Sequence, residues 1–537
     1  MRPMVVSRRH VPGRGLRPWI LMVVPFLLTS ACWADPPTAA KRMTERIDEL
    51  LAARMGEEGV TPAATASDTE FLRRVSLDLT GVIPEVIVVR KFLASKAPAK
   101  RAELVELLLN KPRHATHFAN LWRNVMLPDD SNVRRFGGDA GFQSWLQGEF
   151  ADNTPYNEMV SELLLTEGNY RSVGPQLFYA ALELKPEDLA ASTSRIFLGV
   201  QIQCAQCHDH PFDHWTRDDF WSYAAFFAHL QRPQGQQRIV TQIAEADDGE
   251  EIKIPDTGKV ALPRFLRNKG SANVAATGEG KRRERLAKWL TSGENPYFAK
   301  ATVNRIWAVL FGRGIVDPVD DLGAHNLPSH PQLLDELAEY FVESGFDVRQ
   351  MIRTLTATRA YQRSSRTTGD QEEVEDRPEL FARMAVKSLT AEQLYDCLSE
   401  AMRRRERATT NRQFAGFRGF DQNREAFLAK FRAPTQGATE FQSGIPQALT
   451  LMNGRDIREA TDLATSDILN ALEVPLFSDA DRVEMLFLST VSRYPTEKER
   501  EVFLAHVHHG SDSGNRREAL SDILWALLNS AEFALNH

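Results

Sequence analysis

The residues with the clearest chemical potential lie in one short stretch. Cys204-Ala205-Gln206-Cys207-His208 forms a complete C-x-x-C-H in a chain with only four cysteines. At this spacing two thiols can form thioethers to haem c while the histidine that follows becomes an axial iron ligand. The same few turns of chain hold Asp209, His210, Asp213 and His214. Thiolates and neutral imidazoles also suit zinc or another divalent metal, so Cys204, Cys207, His208, His210, Asp213 and His214 form a second candidate ligand set. A third reading makes Cys204–Cys207 a disulfide, because paired thiols outside the cytoplasm oxidise unless captured. The order His208-x-His210-x-x-Asp213-His214 approaches a metallohydrolase pattern but is one residue too long, and it lacks a preceding strand. No G-x-S-x-G elbow and no complete P-loop is present, so the sequence assigns no catalytic residue.

The elements around this stretch must position it. Asp188 to Val200 reads as an amphipathic helix leading into Cys204. Thr216-Arg217-Asp218-Asp219 has the spacing of a capping box, so a second helix should begin just after the motif. Helical periodicity continues on both sides, through Phe71, Leu72, Val75 and Leu79 early in the chain and through Leu333, Leu334, Leu337 and Phe341 later. Between them Glu251 to Ile254 alternates as a strand and Val260 to Leu262 returns. The expected fold is mainly α: two helical domains, 40–230 and 281–537, with a small β insert and linker over 231–280 between them.

Residues 1–34 read as a signal peptide. Arg2, Arg8, Arg9, Arg14 and Arg17 precede an apolar run from Trp19 to Ala31 that is too short to span a bilayer comfortably. Leu28-Thr29-Ser30-Ala31-Cys32 resembles a lipobox, which would place a lipid anchor on Cys32. The expected location is extracytoplasmic, in the periplasm or at the cell surface, with no membrane span in the mature chain. A net charge of −7 gives no reason to expect nucleic acid as a partner.

Further blocks carry a resemblance. They are Leu72-Arg73-Arg74-Val75-Ser76-Leu77-Asp78-Leu79-Thr80-Gly81, Phe197-Leu198-Gly199-Val200, Asn304-Arg305-Ile306-Trp307, Phe311-Gly312-Arg313-Gly314-Ile315-Val316 and His330-Pro331-Gln332-Leu333-Leu334-Asp335. Pro446-Gln447-Ala448-Leu449 and Leu527-Leu528-Asn529-Ser530-Ala531-Glu532-Phe533 close the series. Together with the C-x-x-C-H they resemble the planctomycete-type exported family that pairs a cytochrome-C-like domain (PSCyt) with a companion domain of unknown function (PSD). That resemblance implies an exported protein and a name drawn from the C-x-x-C-H, without an established activity. The resulting expectation is an exported haem c- or metal-binding protein in extracytoplasmic electron transfer, facing a redox partner or another cell-envelope protein. Met126, Met159 and His229 are candidate distal ligands. The alternative is a non-catalytic scaffold in which the Cys/His cluster is a structural metal or disulfide site.

Overall fold

The computed structural model describes residues 36–537 apart from 129–138, 170–173, 232–241, 267–278, 367–376, 403–423, 425–426, 430–456, 459–460, 464–465 and 510–514. The signal segment with Cys32, most of the linker Ser271 to Gly280 and the Pro446 block therefore lie outside the described residues. What is described is mainly helical. Its strands are two residues long and form two antiparallel pairs, Gly168–Asn169 with Gln242–Ile243 and Lys387–Ser388 with Leu535–Asn536.

The β character expected between the helical halves is real but not self-contained. Lys253 and Val260 bridge each other, whereas Gln242–Ile243 pairs back onto Gly168–Asn169 and Leu230 bridges Glu245. Two- and three-residue pairings cannot stand alone in water, so this segment is stitched to its helical neighbours.

The helix Asp68–Thr80 shows how the sequence builds the fold. Ser67 caps it through the Glu70 N–H, and Gly81 ends it in the left-handed conformation at φ 71°. A Cβ at Gly81 would lie 2.6 Å from the Nδ1 of buried His117, so glycine is required twice over. Nearly every residue of this helix is buried, including Arg73, Arg74 and Asp78. Arg73 donates to the carbonyls of Thr490 (3.1 Å) and of Glu532 and Phe533 (2.9 Å each). Arg74 donates to the carbonyls of Tyr361 and Arg363 and to Glu70. Apart from Glu70, the partners of these buried cations lie some 290 to 460 residues away in the chain, and among the described residues neither Nε atom has a hydrogen-bond partner.

The cores follow the same pattern. One apolar cluster runs from Met43 through Trp122, Phe197 and Trp307 to Met384. A second joins Leu77, Val82 and Ile83 to the helices Ala391–Ala401, Asp479–Thr490 and Arg516–Leu528. Both clusters draw on both halves of the sequence.

Candidate functional site at the cysteine–histidine turn

The helix Pro186–Thr193 does not continue to Val200 as expected. It widens into a single π-helical turn, Ser194–Leu198, and stops at Gly199 with φ 64°. Gly199 also makes room for Leu322, because a Cβ there would sit 2.8 Å from the Leu322 Cδ1. A 3₁₀ turn, Gln203–Gln206, then carries Cys204. Ile202 and Ala205 are buried and anchor this turn in the core, leaving Cys204, Cys207 and His208 exposed. Cys204 and Cys207 are separate thiols. Cys397 is a buried thiol whose titration is pushed up to about 12 by burial.

Polypeptide contacts fix the turn. The Trp221 indole N–H donates to the Gln206 carbonyl (3.0 Å), the Arg217 N–H to the Asp209 carboxylate (2.9 Å) and the His210 N–H to the Trp215 carbonyl (2.8 Å). The helix Arg217–Ala224 begins with the expected capping box, Thr216 and Asp219 bonding reciprocally. His208 places Nδ1 2.8 Å from the Asp209 carbonyl. A carbonyl only accepts, so in the neutral ring the proton is on Nδ1 and Nε2 carries the lone pair.

The two aspartates have structural work. Asp209 holds the N-terminus of the following helix. Asp213 accepts from the His214 Nδ1 (2.6 Å) and backbone N–H (2.7 Å), and from the Ala324 N–H at 3.3 Å. Burial pushes the Asp213 carboxyl up, but the His214 and Ala324 hydrogen bonds outweigh it and hold it below the usual range. His210 accepts from the Phe212 N–H through Nδ1 at 3.3 Å. Among the described residues no three His, Cys, Asp or Glu side chains are grouped to hold a metal ion, so the six-residue set expected for zinc is adjacent in sequence without converging in space.

A loop from the other half of the chain completes the surroundings, and sequence reading missed it. Asn304 clamps its root through Val316, donating to the Val316 and Val319 carbonyls (2.8 and 3.1 Å) and accepting from the Val316 N–H (3.0 Å). Arg305 donates to the Ile196 carbonyl (2.7 Å) and pairs with Asp320, which also binds Arg195 at 2.8 Å. The Leu322 N–H donates to the Gly199 carbonyl (2.7 Å). The loop thereby carries Asp321 and His325 to the motif. Asp321 lies 3.0 Å from the His325 Nε2, and the His325 ring sits 6.3 Å from the His210 ring and 6.4 Å from Phe212. Phe212, in the motif segment, and Leu327, two residues past His325, are 76% and 78% exposed. The available signal was Asn304-Arg305, a polar pair set among Val303, Ile306 and Trp307.

The expected distal ligands lie elsewhere. Met126 and Met159 are each 2% exposed inside the core, and the His229 side chain is mostly buried next to Glu251.

Taken together, this is a mainly helical protein with a thiol–imidazole turn held between two of its segments. Residues 46–232 match PSCyt2, a protein of unknown function (DUF1549), and residues 282–507 match PSD1, a protein of unknown function (DUF1553). The chain thus carries the paired planctomycete-type domains that its motif blocks resemble. No curated protein and no solved structure gave a match. No helix among the described residues is long and apolar enough to cross a membrane.

Proposed function

We propose that the protein is an exported carrier of haem c, attached through Cys204 and Cys207 with His208 as an axial ligand, acting in extracytoplasmic electron transfer. The observation that carries this reading is the His208 ring. Its Nδ1 is engaged by the Asp209 carbonyl, which leaves Nε2 as the donor atom, and two exposed thiols precede it on the same turn. The residues present fit the group. Cys204 and Cys207 are exposed as separate thiols, and Phe212, five residues past Cys207 in the same segment, is an exposed apolar side chain.

Cys204 and Cys207 would hold haem through thioethers, each the net addition of one S–H across a vinyl group without an oxidant, and His208 would ligate its iron. Once bound, haem supplies one-electron redox chemistry, while the chain orients the imidazole and holds the turn. Asp209 and Asp213 are not needed for haem attachment. Their bonds to the Arg217 and Ala324 N–H groups give both a structural role instead. Export is part of the reading, and the Arg-rich apolar N-terminal segment supports it.

The test is expression in an export-competent host that matures c-type haem. Covalent haem should persist after denaturation as added mass and a Soret band, and Cys204→Ala should lose the two-thioether adduct. Absence of any covalent adduct on the wild-type chain would overturn the proposal and favour a scaffold whose thiol turn carries no haem. Metal analysis of the same sample would then identify a bound divalent ion.

A further inference from the structure

We propose that Lys387 and Asn536 condense into an internal amide bond, with the Asp78 carboxylate carrying protons between them. This modification site shares no residue with the thiol turn and does not depend on the haem reading.

Lys387 and Asn536 stand opposite each other in the antiparallel pair of Lys387–Ser388 with Leu535–Asn536, so their side chains leave from the same face of the ladder. Both converge on one atom. Lys387 Nζ and Asn536 Nδ2 each lie 2.6 Å from Asp78 Oδ1, so the two nitrogens are separated by no more than twice that distance. The Tyr361 hydroxyl donates to the other oxygen, Oδ2, at 2.8 Å and fixes the carboxylate. Asp78, Tyr361 and Asn536 are buried, and the Lys387 side chain is 16% exposed. Oδ1 of Asn536 has no hydrogen-bond partner among the described residues, so the amide is held through the nitrogen that would leave.

Burial favours the uncharged amine of Lys387 over the ammonium, and a desolvated amine is a nucleophile. Asp78 takes one proton from Nζ. The two that remain are held by the Val309 and Leu310 carbonyls at 3.0 and 2.8 Å, which turns the lone pair to the Asp78 side, where Asn536 lies. The Nζ–Cγ bond forms as the Cγ–Nδ2 bond breaks. A second proton passes from Nζ to Nδ2, Asp78 returns the first, and ammonium leaves with the carboxylate restored. No oxidant or co-reactant enters. Lys100 is a contrasting case. It also meets an aspartate at 2.6 Å, but Asp68 is 37% exposed and its second partner is Arg101 instead of a side-chain amide. The new bond would tie two points 149 positions apart in the sequence, as a disulfide does, in a protein whose Cys204, Cys207 and Cys397 are free.

Tryptic peptide mapping of the full chain by mass spectrometry tests this. In the wild type trypsin should not cut after Lys387, and residues 384–403 should appear joined to 518–537, lighter than the two peptides together by one ammonia. Asp78→Asn should instead be cut after Lys387 and release 518–537 with its amide intact. If that variant does not accumulate, Asp78→Glu decides. It keeps the charge but displaces the oxygen, so unjoined peptides should again appear. Unjoined peptides from the wild type, ammonia loss confined to 518–537 with cleavage after Lys387, loss of water joining Lys387 to Asp78, or complete joining in Asp78→Asn or Asp78→Glu would overturn the proposal.

Discussion

Lys387 donates to the Asp78 carboxylate at 2.6 Å, across 309 residues of sequence, with Asp78 buried and Lys387 largely so. Asp78 also accepts from the Tyr361 hydroxyl (2.8 Å) and the Asn536 amide (2.6 Å), and Lys387 donates to the Val309 and Leu310 carbonyls. Burial pushes the Lys387 ammonium down and Asp78 opposes that shift. Removing one partner leaves the other charge buried and uncompensated. Asp78→Ala should therefore cost about 3–5 kcal/mol, measured as a fall in the urea midpoint. A loss below about 0.5 kcal/mol, the range of surface substitutions, would show that the pair is not a buried anchor.

His114 and His117 predict an acid sensitivity unrelated to the thiol turn. Burial lowers His114 to about 4, partly countered by its bond to the Leu79 carbonyl, and lowers His117 to about 3. Both are therefore neutral when folded, while the unfolded chain protonates them near 6.5. Their contribution is fully present above pH 6.5 and declines as pH falls towards 4 and then 3, by about 1.4 kcal/mol per pH unit per histidine. Thermal unfolding between pH 7 and 4 should show this slope, and His117→Gln should reduce it. An identical slope in the variant would sink the assignment.

The exposed thiols should contribute nothing to stability by themselves. Cys204→Ser/Cys207→Ser in haem-free protein is expected within about 0.5 kcal/mol of the parent, with no change in Tm on adding reductant. A marked drop in either measurement would show that a disulfide staples the turn.

Asn304 is expected to act at a distance on the turn. Asn304→Ala removes the bonds to Val316 and Val319 and leaves backbone groups there unpaired. A cost of about 1–3 kcal/mol is expected, and amide exchange over residues 316–326 should accelerate while the helix Pro331–Glu343 stays protected. Unchanged exchange in the loop would argue against the clamp.

The parts of this structure that were legible beforehand are those set by local sequence. Helical periodicity gave the fold class, Thr216 and Asp219 announced a helix start, and the cysteine spacing located the turn. Long-range partners were not legible. Arg73 and Arg74 look like an ordinary basic face until their carbonyl partners near Thr490 and Tyr361 are known. Asp321 and His325 sit in a polar loop with no periodicity, and only the Asn304 and Arg305 bonds bring them to the motif. The π-helical turn at Ser194–Leu198 was also hidden, because its residues continue the helical apolar pattern.

The way the thiol turn is secured bears on how it can be altered. The Trp221 indole bonds to the Gln206 carbonyl, the Arg217 N–H to the Asp209 carboxylate and the His210 N–H to the Trp215 carbonyl, while Ile202 and Ala205 root the turn in the core. None of these contacts ends on a sulfur. Either cysteine can therefore be exchanged, labelled or crosslinked without redrawing the chain around it.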